Sequence, residues 1–366
     1  MRLSAAARNY TAGMFRPPTS EQPLKLNFNE NNQGISPLAH EALLSALAEV
    51  HRYPDRPHAE LTVALAEHHG VGPQQVTLGS GSSQIIHIIV GAVARRAQDA
   101  GQPTQVVMPV PTFDAGASAA AARRLPVQAI PLRGNLEADL IALQAACEDF
   151  DGQSVVYLCN PNNPTGTVVD SAELRAWVEA APQTLFLIDE AYVEYVTDSR
   201  FQPVDAWVRD GLPNVAVART FSKLHGLAGL RVGYSLSSQE NAALFATFLP
   251  EMPVNLLGLL AARASLGDTD FQRRSLDQTL LARRRVLDTL DRLGLRYADP
   301  QANFVFHELP AHLGGNRSYR QRMRERHVIV GRDFAAYEGW NRLSLGTPEE
   351  MAHVTAEMMQ VLGQKE

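Results

Sequence analysis

The feature that most constrains the fold is an alternation of strand-like and helix-like segments over the first two thirds of the chain. Short apolar runs without polar alternation occur at residues 105–108, 154–158, 185–188 and 215–218. Alanine-rich amphipathic stretches, such as residues 115–123 and 172–180, lie between them. Such runs are typical of strands buried on both faces, and the intervening helices connect parallel neighbours. The pattern predicts an α/β fold with a mostly parallel central sheet.

The pattern changes in the last third of the chain. A long helical stretch at about residues 255–293 precedes three further strand-like runs, at residues 303–306, 328–330 and 341–345. We therefore expect a second, smaller α+β domain. The predicted division is an N-terminal arm of residues 1–35, a large domain of residues 36–255 and a small C-terminal domain of residues 256–366.

The N-terminal arm is expected to be irregular up to about residue 32, because prolines interrupt it. A helix should begin after Ser36, since a serine followed by Pro37 is a typical cap and first helical position. We expect one face of this helix to carry four leucines, Leu38, Leu43, Leu44 and Leu47.

Composition and charge narrow the class of protein. The 366 residues are 45% hydrophobic and 20% charged, as in an ordinary globular protein that forms its core without disulfides. The net charge of −6 gives no general attraction to nucleic acid or anionic membranes, so neither is expected as a partner. Basic runs at residues 283–285 and 317–322 are interpreted as solvated helix faces.

Cysteine content and apolar segments bear on location. Cys147 and Cys159 are the two cysteines, and no motif pairs them, which indicates a reducing compartment. Residues 1–9 lack the apolar core of a signal peptide, and no apolar run approaches the length of a membrane span. We expect a cytoplasmic location.

The first of the loops that we expect at the sheet edge, where open parallel sheets bind ligands, is rich in glycine and serine. Residues 78–84 read Leu-Gly-Ser-Gly-Ser-Ser-Gln, directly before an apolar helix. Converging backbone N–H groups, the helix start and the hydroxyls of Ser82 and Ser83 suit a phosphate group. A tight turn explains this loop alone equally well, because neither the dinucleotide fingerprint nor the nucleotide P-loop is complete.

Two further strand ends carry amide and carboxylate groups. Residues 159–166 combine two X-Pro steps with three asparagines, so a stiff loop presents the amides. Asp189 follows four apolar residues, and a carboxylate at the end of a buried strand needs a cationic or hydrogen-bonding partner. Tyr192, three residues later, could reach the same place. Capping of the next helix is the alternative for Asp189.

Lys223 has an unusual position for a lysine. It lies between the strand-like run at residues 215–218 and a glycine-rich apolar stretch, with no other charge until Arg231. A desolvated lysine has a lowered pKa, and its neutral amine is a nucleophile toward carbonyl compounds. Because most single lysines are surface residues, this hypothesis depends on the neighbouring motifs.

In this order and spacing the motifs resemble fold-type I pyridoxal-phosphate aminotransferases, and within them the histidinol-phosphate aminotransferase group. The resemblance extends from about Leu26 to the C-terminus. It is strongest in Asn-Pro-Thr-Gly at residues 163–166 and in Ser-Lys followed by Gly-Leu-Arg-x-Gly-Tyr at residues 222–234. It implies an aspartate-aminotransferase-like fold, pyridoxal 5'-phosphate as cofactor, and exchange of an amino group between an amino acid or amine and a 2-oxo acid.

The resemblance also implies roles toward the cofactor. Lys223 would carry the cofactor and later act as acid and base on the substrate, while Asp189 would pair with the pyridine nitrogen. Tyr192, the third catalytic residue, would bind the ring hydroxyl oxygen together with Asn163. The remaining residues implied to bind the ring face and the phosphate are Ser82, Ser83, Phe113, Ser222 and Arg231.

Roles in assembly and substrate binding follow from the same resemblance. Tyr53 would reach the cofactor phosphate of a neighbouring subunit, which implies a homodimer with shared active sites. Arg342 and, less securely matched, Arg332 would bind the anionic group of the substrate, because a guanidinium suits a carboxylate or phosphate. Asn29 belongs to a segment that would close over the substrate.

Three departures from the group concern the substrate. Residues 81–84 read Gly-Ser-Ser-Gln where Gly-Ser-Asp-Glu is usual, and residues 29–32 read Asn-Glu-Asn-Asn where Asn-Glu-Asn-Pro is usual. Met252 and Pro253 stand where an aromatic residue and an asparagine commonly help to hold the substrate phosphate. These departures argue against histidinol phosphate as the sole candidate donor, so a related amine or an aromatic, basic or other amino acid stays open beside it.

Other functions stay open on the sequence alone. A pyridoxal-phosphate decarboxylase, lyase or cyclase would share Lys223 and Asp189, and formation of the pyridoxamine form would separate it from an aminotransferase. A non-catalytic nucleotide-binding module would have no use for the lysine. No metal is expected, because the histidines at positions 51, 58, 68 and 69 have no ligand spacing.

Overall fold

Strands and helices alternate along most of the chain in the computed structural model, which describes residues 15–363. The expectation about residues 1–9 lies outside this range. The described strands are, in chain order, β1 (Leu24–Lys25), β2 (Val76–Gly79), β3 (Thr104–Val110), β4 (Val127–Pro131), β5 (Gln153–Cys159), β6 (Leu185–Asp189), β7 (Val215–Thr220), β8 (Gly233–Ser237), β9 (Phe304–Glu308), β10 (Val328–Ile329) and β11 (Trp340–Ser344). The described α-helices are α1 (Pro37–Ala46), α2 (Asp55–His69), α3 (Ser82–Asp99), α4 (Ala115–Ala121), α5 (Leu140–Glu148), α6 (Ser171–Ala180), α7 (Asp205–Arg209), α8 (Gln239–Ala246), α9 (Leu256–Leu266), α10 (Thr269–Leu293), α11 (Asn316–Glu325) and α12 (Pro348–Gly363).

A seven-stranded sheet in the order β2-β8-β7-β6-β5-β3-β4 forms the centre of the first two thirds of the described chain. Strand β8 is antiparallel to both of its neighbours, and the other pairs are parallel. The predicted mostly parallel α/β sheet is confirmed. The four apolar runs correspond to β3, β5, β6 and β7, each slightly longer than predicted.

Alternate residues of the central strands pack into two separate hydrophobic cores. Val156 and Phe186 belong to one core, and their neighbours Val155 and Leu187 belong to the other. Because successive side chains of a strand point to opposite faces, a sheet covered on both sides needs apolar residues at every position. This is the physical reason for the continuous apolar runs.

The C-terminal third of the chain has its own core and two short strand pairs. Strands β9 and β11 are antiparallel, whereas β1 pairs in parallel with β10. Leu26, next to β1, is buried with Val286 of α10 and Met351 of α12. The arm was expected to be irregular, and β1 differs because its backbone hydrogen bonds are completed by β10. The predicted helical stretch is divided into α9 and α10.

Helix α1 begins at the predicted position. The Ser36 hydroxyl accepts a hydrogen bond from the backbone N–H of Ala39, and Pro37 is the first helical residue. Ala39 is fully buried, whereas Leu44 and Leu47 are 50% and 55% exposed in the single chain. Leu43 is partly buried against one of the two cores of the central sheet, and Leu47 directly follows the helix. Helix α1 packs on α9.

Arg283 contradicts the interpretation of residues 283–285 as a solvated face. Its side chain is buried on α10 and donates to the backbone carbonyl oxygens of Tyr195 and Pro300 and to the Thr197 hydroxyl. Loop carbonyls that are shielded from water need donors, and the guanidinium supplies several. Arg284 and Arg285 are exposed, as expected.

Candidate active site

A cavity of about 650 Å³ lies at the carboxyl ends of β5, β6 and β7. The sequence-predicted site residues that line it are Asn29, Ser82, Ser83, Phe113, Asn163, Asp189, Tyr192, Ser222, Lys223, Arg231, Arg332 and Arg342. Parallel neighbours end at the same edge of a sheet, so loops distant in sequence meet there. Tyr53 is the one predicted site residue that does not line this cavity.

Asp189 ends β6 and places a carboxylate at the cavity wall. The residue is only 1% exposed, and its Oδ2 accepts a hydrogen bond of 3.1 Å from the Tyr157 hydroxyl. No hydrogen-bond partner is described for its Oδ1. Burial raises the pKa of this carboxyl to about 6. Buried polar atoms are normally paired, so Oδ1 marks a place for a donor from a ligand.

Lys223 places a primary amine in the same cavity. Its Nζ lies 5.5 Å from the centroid of the Tyr192 ring and donates to the carbonyl oxygens of Phe28 (3.1 Å) and Asn29 (3.0 Å). Burial, followed by the positive charge of Arg342, lowers the pKa of the amine to about 8. A larger neutral fraction than in a solvated lysine makes this amine a nucleophile near neutral pH.

The Tyr192 hydroxyl joins two amides from different segments. It accepts hydrogen bonds from Nδ2 of Asn29 (3.1 Å) and of Asn163 (3.4 Å). Its ring packs edge-on against Phe304, with centroids 5.1 Å apart. Burial raises the pKa of Tyr192, so the phenol stays protonated and can itself donate to a ligand oxygen.

Arg342 on β11 is a buried guanidinium that lacks a described carboxylate partner. Its Nη1 donates to Oδ1 of Asn163 and its Nη2 to the carbonyl oxygen of Asn27, each at 2.6 Å. Its Nε has no described partner. The Cζ atom of Arg342 lies over the Phe304 ring, 5.7 Å from its centroid. A buried cation held by neutral oxygens favours an anionic ligand, because the charge is otherwise uncompensated.

The glycine-serine loop forms an anion cradle where α3 begins. Gly81 has φ +80°, and a side chain there would collide with the Arg231 guanidinium. Arg231 Nη1 contacts the Ser222 hydroxyl at 3.4 Å, and the Thr220 hydroxyl donates to Ser222 at 2.9 Å. The start of α3 at Ser82 has no side-chain cap. Free N–H groups, hydroxyls and a guanidinium together suit a phosphate.

Asn29 and Arg332, two of the residues expected to bind the substrate, already contact other groups of the protein. Asn29 is 1% exposed, and its amide contacts Tyr192 and the Ser344 hydroxyl. Its side chain is therefore engaged within the protein although the residue lines the cavity. Arg332 is exposed at the cavity mouth, where it lies 3.7 Å from an Asp114 carboxylate oxygen.

Several site residues were missed by the sequence analysis. Tyr157 holds Asp189, and Asn303 donates to the carbonyl oxygens of Asn29 (3.0 Å) and Glu30 (3.2 Å). A tyrosine inside an apolar strand was a usable signal for Tyr157. Two arginines four residues apart, Arg320 and Arg324, also line the cavity.

Other classes of site have little support in the part of the chain that the structure describes. None of residues 15–363 forms a group of three or more His, Cys, Asp or Glu side chains that could hold a metal ion. Among the described helices, none combines the length and apolar character needed to cross a membrane. Cys147 and Cys159 are free thiols.

Comparison with known proteins agrees with this geometry. The family model for aminotransferase class I and II matches residues 21–357. A histidinol-phosphate aminotransferase of Rubrobacter xylanophilus is 36% identical over 351 residues, which cover 94% of this chain and 92% of the relative.

Solved structures agree over nearly the whole chain. A candidate histidinol-phosphate aminotransferase from Erwinia carotovora atroseptica has a TM-score of 0.90 at 34% identity, covering 94% of this chain and 98% of its own. Histidinol-phosphate aminotransferase from Sinorhizobium meliloti, solved with pyridoxal-5'-phosphate, has a TM-score of 0.83 at 25% identity, covering 99% and 98%. The expected aspartate-aminotransferase-like α/β fold is confirmed. The chain belongs to the class I and II aminotransferases, and it is a pyridoxal-phosphate-dependent aminotransferase.

Proposed function

We propose that the cavity is the active site and that the enzyme transfers the amino group of histidinol phosphate, or of a closely related amine or amino acid, to a 2-oxo acid. The observation that carries this assignment is the presence, in one cavity, of the Lys223 amine and the unpartnered Oδ1 of Asp189. The histidinol-phosphate aminotransferases among the relatives support the choice of donor.

The groups in the cavity suit pyridoxal phosphate. Its aldehyde requires an amine, which Lys223 offers, and its pyridine nitrogen requires a buried carboxylate, which Asp189 offers. The cradle at Gly81 and Arg231 has the donors for its phosphate, together with the hydroxyls of Ser82, Ser83 and Ser222. When bound, the cofactor supplies an electron-accepting ring for the charge that develops at the substrate α-carbon.

Lys223 has two tasks in this proposal. It binds the cofactor covalently, and its free amine moves a proton at the substrate α-carbon as general acid and base. The carbonyl oxygens of Phe28 and Asn29 accept hydrogen bonds from the free amine and hold it in the cavity. A lowered pKa suits this role because both protonation states are then accessible.

Asp189 holds a proton on the pyridine nitrogen through a charge-assisted hydrogen bond. Such a bond contributes about 1.5–3 kcal/mol and also satisfies the otherwise unpartnered Oδ1. The Tyr157 hydroxyl fixes the other carboxylate oxygen. Asn163 and Tyr192 are the donors for the ring hydroxyl oxygen, and Phe113 packs on the ring face.

Arg342 binds the carboxylate or other anionic group of the substrate in this proposal. Its present contacts are neutral oxygens of Asn163 and Asn27, which compensate less charge than a carboxylate does. Arg332 at the mouth is the second candidate for an anionic group.

The pH dependence of cofactor uptake should report the Lys223 amine. We expect uptake by the cofactor-free protein to accelerate as pH rises and to level off above about 8, because the neutral amine is the attacking form. In Arg342→Gln the midpoint should move to higher pH, since the Arg342 charge lowers the pKa of Lys223. Stopped-flow absorbance after mixing with pyridoxal phosphate measures both, and a rate independent of pH contradicts the assignment.

We further propose a homodimer with shared active sites. Tyr53 is 87% exposed, and Leu44, Leu47 and Val50 just before it are 50–56% exposed. Large apolar side chains exposed together favour contact with another protein surface. A second copy of the chain would cover them and would receive Tyr53 at its cofactor phosphate.

Mixing two inactive variants tests the sharing of sites. Tyr53→Ala and Lys223→Ala should each be impaired alone, and co-refolding them should restore activity. A heterodimer has one site with both defects and one with neither, so random pairing restores about a quarter of the wild-type rate. A mixture no more active than the sum of its parts means that Tyr53 serves its own subunit or none.

We also propose the predicted division into an arm (1–35), a large cofactor-binding domain (36–255) and a small domain (256–366). The separate hydrophobic core of the C-terminal third supports it. A cytoplasmic location is proposed as well, and the unpaired thiols of Cys147 and Cys159 are consistent with a reducing compartment.

Absorption spectra with a panel of donors test the proposed reaction. With histidinol phosphate, the band of bound pyridoxal phosphate should disappear as pyridoxamine phosphate forms, and a 2-oxo acid should restore it. Conversion by another donor alone would keep the aminotransferase and replace the proposed donor. A donor consumed without formation of pyridoxamine phosphate would favour the decarboxylase, lyase or cyclase alternative.

A further inference from the structure

Arg320 and Arg324 direct positive charge into the cavity from a part of the chain that the proposed mechanism does not use. Both lie on α11, four residues apart, so they share one face of the helix. Both line the cavity. Arg320 belongs to the basic run at residues 317–322 that is interpreted as a solvated face, and its 37% exposed side chain borders both solvent and the cavity.

The charges at the mouth are incompletely paired. Arg320 contacts Asp333 at 2.9 Å, and Arg332 lies 3.7 Å from Asp114. For the side chain of Arg324 no hydrogen bond or ion pair is described, whereas its backbone carbonyl oxygen accepts hydrogen bonds. Its position in the last turn of α11 is favoured by the helix dipole, but that effect does not require the side chain to line a cavity.

The wall beside these arginines has a complementary chemistry. The apolar residues Ile329, from β10, and Val330, which follows it and also belongs to the C-terminal core, line the cavity. A ligand with an apolar linker and a distal anion would place the linker on this wall and the anion near α11. Two guanidiniums on one helix face suit a doubly charged phosphate monoester better than a single carboxylate, since each can donate two parallel hydrogen bonds.

We propose that Arg320 and Arg324 form an anion subsite at the cavity mouth, which binds the distal phosphate of the amino donor. The subsite is separate from the Arg342 guanidinium on β11, and it deepens the proposed function, on which it rests for the identity of the donor. Binding there exchanges the contact of Arg320 with Asp333 for a contact with the ligand. The carboxylates near the mouth belong to Asp114, Asp333 and Glu30. Their negative charge disfavours an anion that binds beside them and not at the two arginines.

Matched donors with and without the phosphate test the subsite. Histidinol phosphate and histidinol carry the same amine, and the half-reaction of the holoenzyme with each is followed by cofactor absorbance. Arg320→Gln and Arg324→Gln should each raise the half-saturating concentration of histidinol phosphate about tenfold. Each variant loses charge-assisted hydrogen bonds to the phosphate, and solvent screening at this partly exposed site limits the size of the effect. Neither should change the value for histidinol.

Arg322→Gln is the matched control, because it removes the same charge from the opposite face of α11, outside the cavity. It should leave both donors unchanged. Equal effects of Arg320→Gln and Arg324→Gln on both donors, or an effect of Arg322→Gln as large as theirs, would overturn the subsite.

Calorimetry separates failure of the subsite from failure of the proposed donor. Inorganic phosphate is titrated into the holoenzyme, whose cofactor already fills the cradle at Gly81, and succinate is the carboxylate probe. If histidinol phosphate is not a donor, phosphate binding that is weakened in Arg324→Gln but not in Arg322→Gln still supports the subsite. Equal phosphate binding in the two variants overturns it. Because Arg342 can bind succinate by itself, the comparison uses the loss of affinity in Arg324→Gln, and a larger loss for succinate than for phosphate overturns the choice of a phosphate group.

Discussion

Replacing Lys223 with alanine should lower the rate of amino-group transfer by about four orders of magnitude or more. The variant loses both the covalent attachment of the cofactor and the general acid and base at the α-carbon, and proton transfer alone contributes about 10²–10⁴. The rate of the half-reaction with an excess of donor measures the effect. Borohydride reduction of the wild type followed by peptide mapping should place the cofactor on Lys223.

The fold should survive this change. The amine makes two hydrogen bonds to backbone carbonyls, and its burial carries an electrostatic cost, so its loss is close to neutral for stability. Circular dichroism and thermal unfolding check this point. Lys25→Ala, at an exposed position of β1, is the matched control and should keep full activity. Turnover near the wild-type rate in Lys223→Ala would show that another group performs the chemistry.

The second large effect is expected for Asp189→Asn, which should lower the rate by about 10²–10³. An amide cannot hold a proton on the pyridine nitrogen, so charge developing at the substrate α-carbon is less stabilised. The Tyr157 hydroxyl keeps an oxygen acceptor, and the shape of the site is conserved. The pH dependence of the cofactor absorption band gives a readout independent of turnover, and an unchanged band together with an unchanged rate would contradict the role of Asp189.

Although Asp189→Asn should lower the reaction rate, it should make the folded, cofactor-free protein more stable than the wild type near neutral pH. The pKa of Asp189 is raised from 3.8 to about 6 in the folded, cofactor-free protein. Its protonated form therefore contributes stability that is present below pH about 4 and is lost as pH rises through about 6. The loss is about 3 kcal/mol for a shift of this size. Asp189→Asn has no such titration.

Urea unfolding of the two cofactor-free proteins tests this expectation. The free energy of unfolding of Asp189→Asn relative to the wild type should increase between pH about 4 and about 7. If the free energies of unfolding of the two proteins change in parallel with pH, the raised pKa of the Asp189 carboxyl is contradicted. Such an outcome would mean that Asp189 already has a compensating partner without the cofactor. The expected pattern, more stable and much less active, is typical of residues kept for function.

Local sequence patterns predicted the structure correctly at the buried strand ends. The run before Asp189 predicted a buried strand end, and β6 ends at that residue with its carboxylate 1% exposed. The position of Lys223 after a buried strand predicted a desolvated amine, and burial lowers its pKa. Both inferences need only neighbours in the chain, because a continuous apolar run is buried in any fold that uses it.

One interpretation was wrong because burial depends on partners distant in the chain. Arg283 was expected in solvent, but loop carbonyls at Tyr195 and Pro300 surround it. A periodic pattern indicates that a helix has an apolar or basic side, and it does not say what lies opposite.

The sequence by itself determined the class of fold, the strand ends and the chemistry of the central groups. Only the tertiary structure decided that Asn29 reaches Tyr192 across the cavity, that Tyr157 fixes Asp189, and that Arg324 faces the cavity mouth. Strand periodicity and loop chemistry depend on residues that are neighbours along the chain. Contacts between segments that are distant in the chain, by 32 residues for Tyr157 and Asp189 and by 163 for Asn29 and Tyr192, depend instead on how helices and sheets pack, and that packing is set by the whole chain at once.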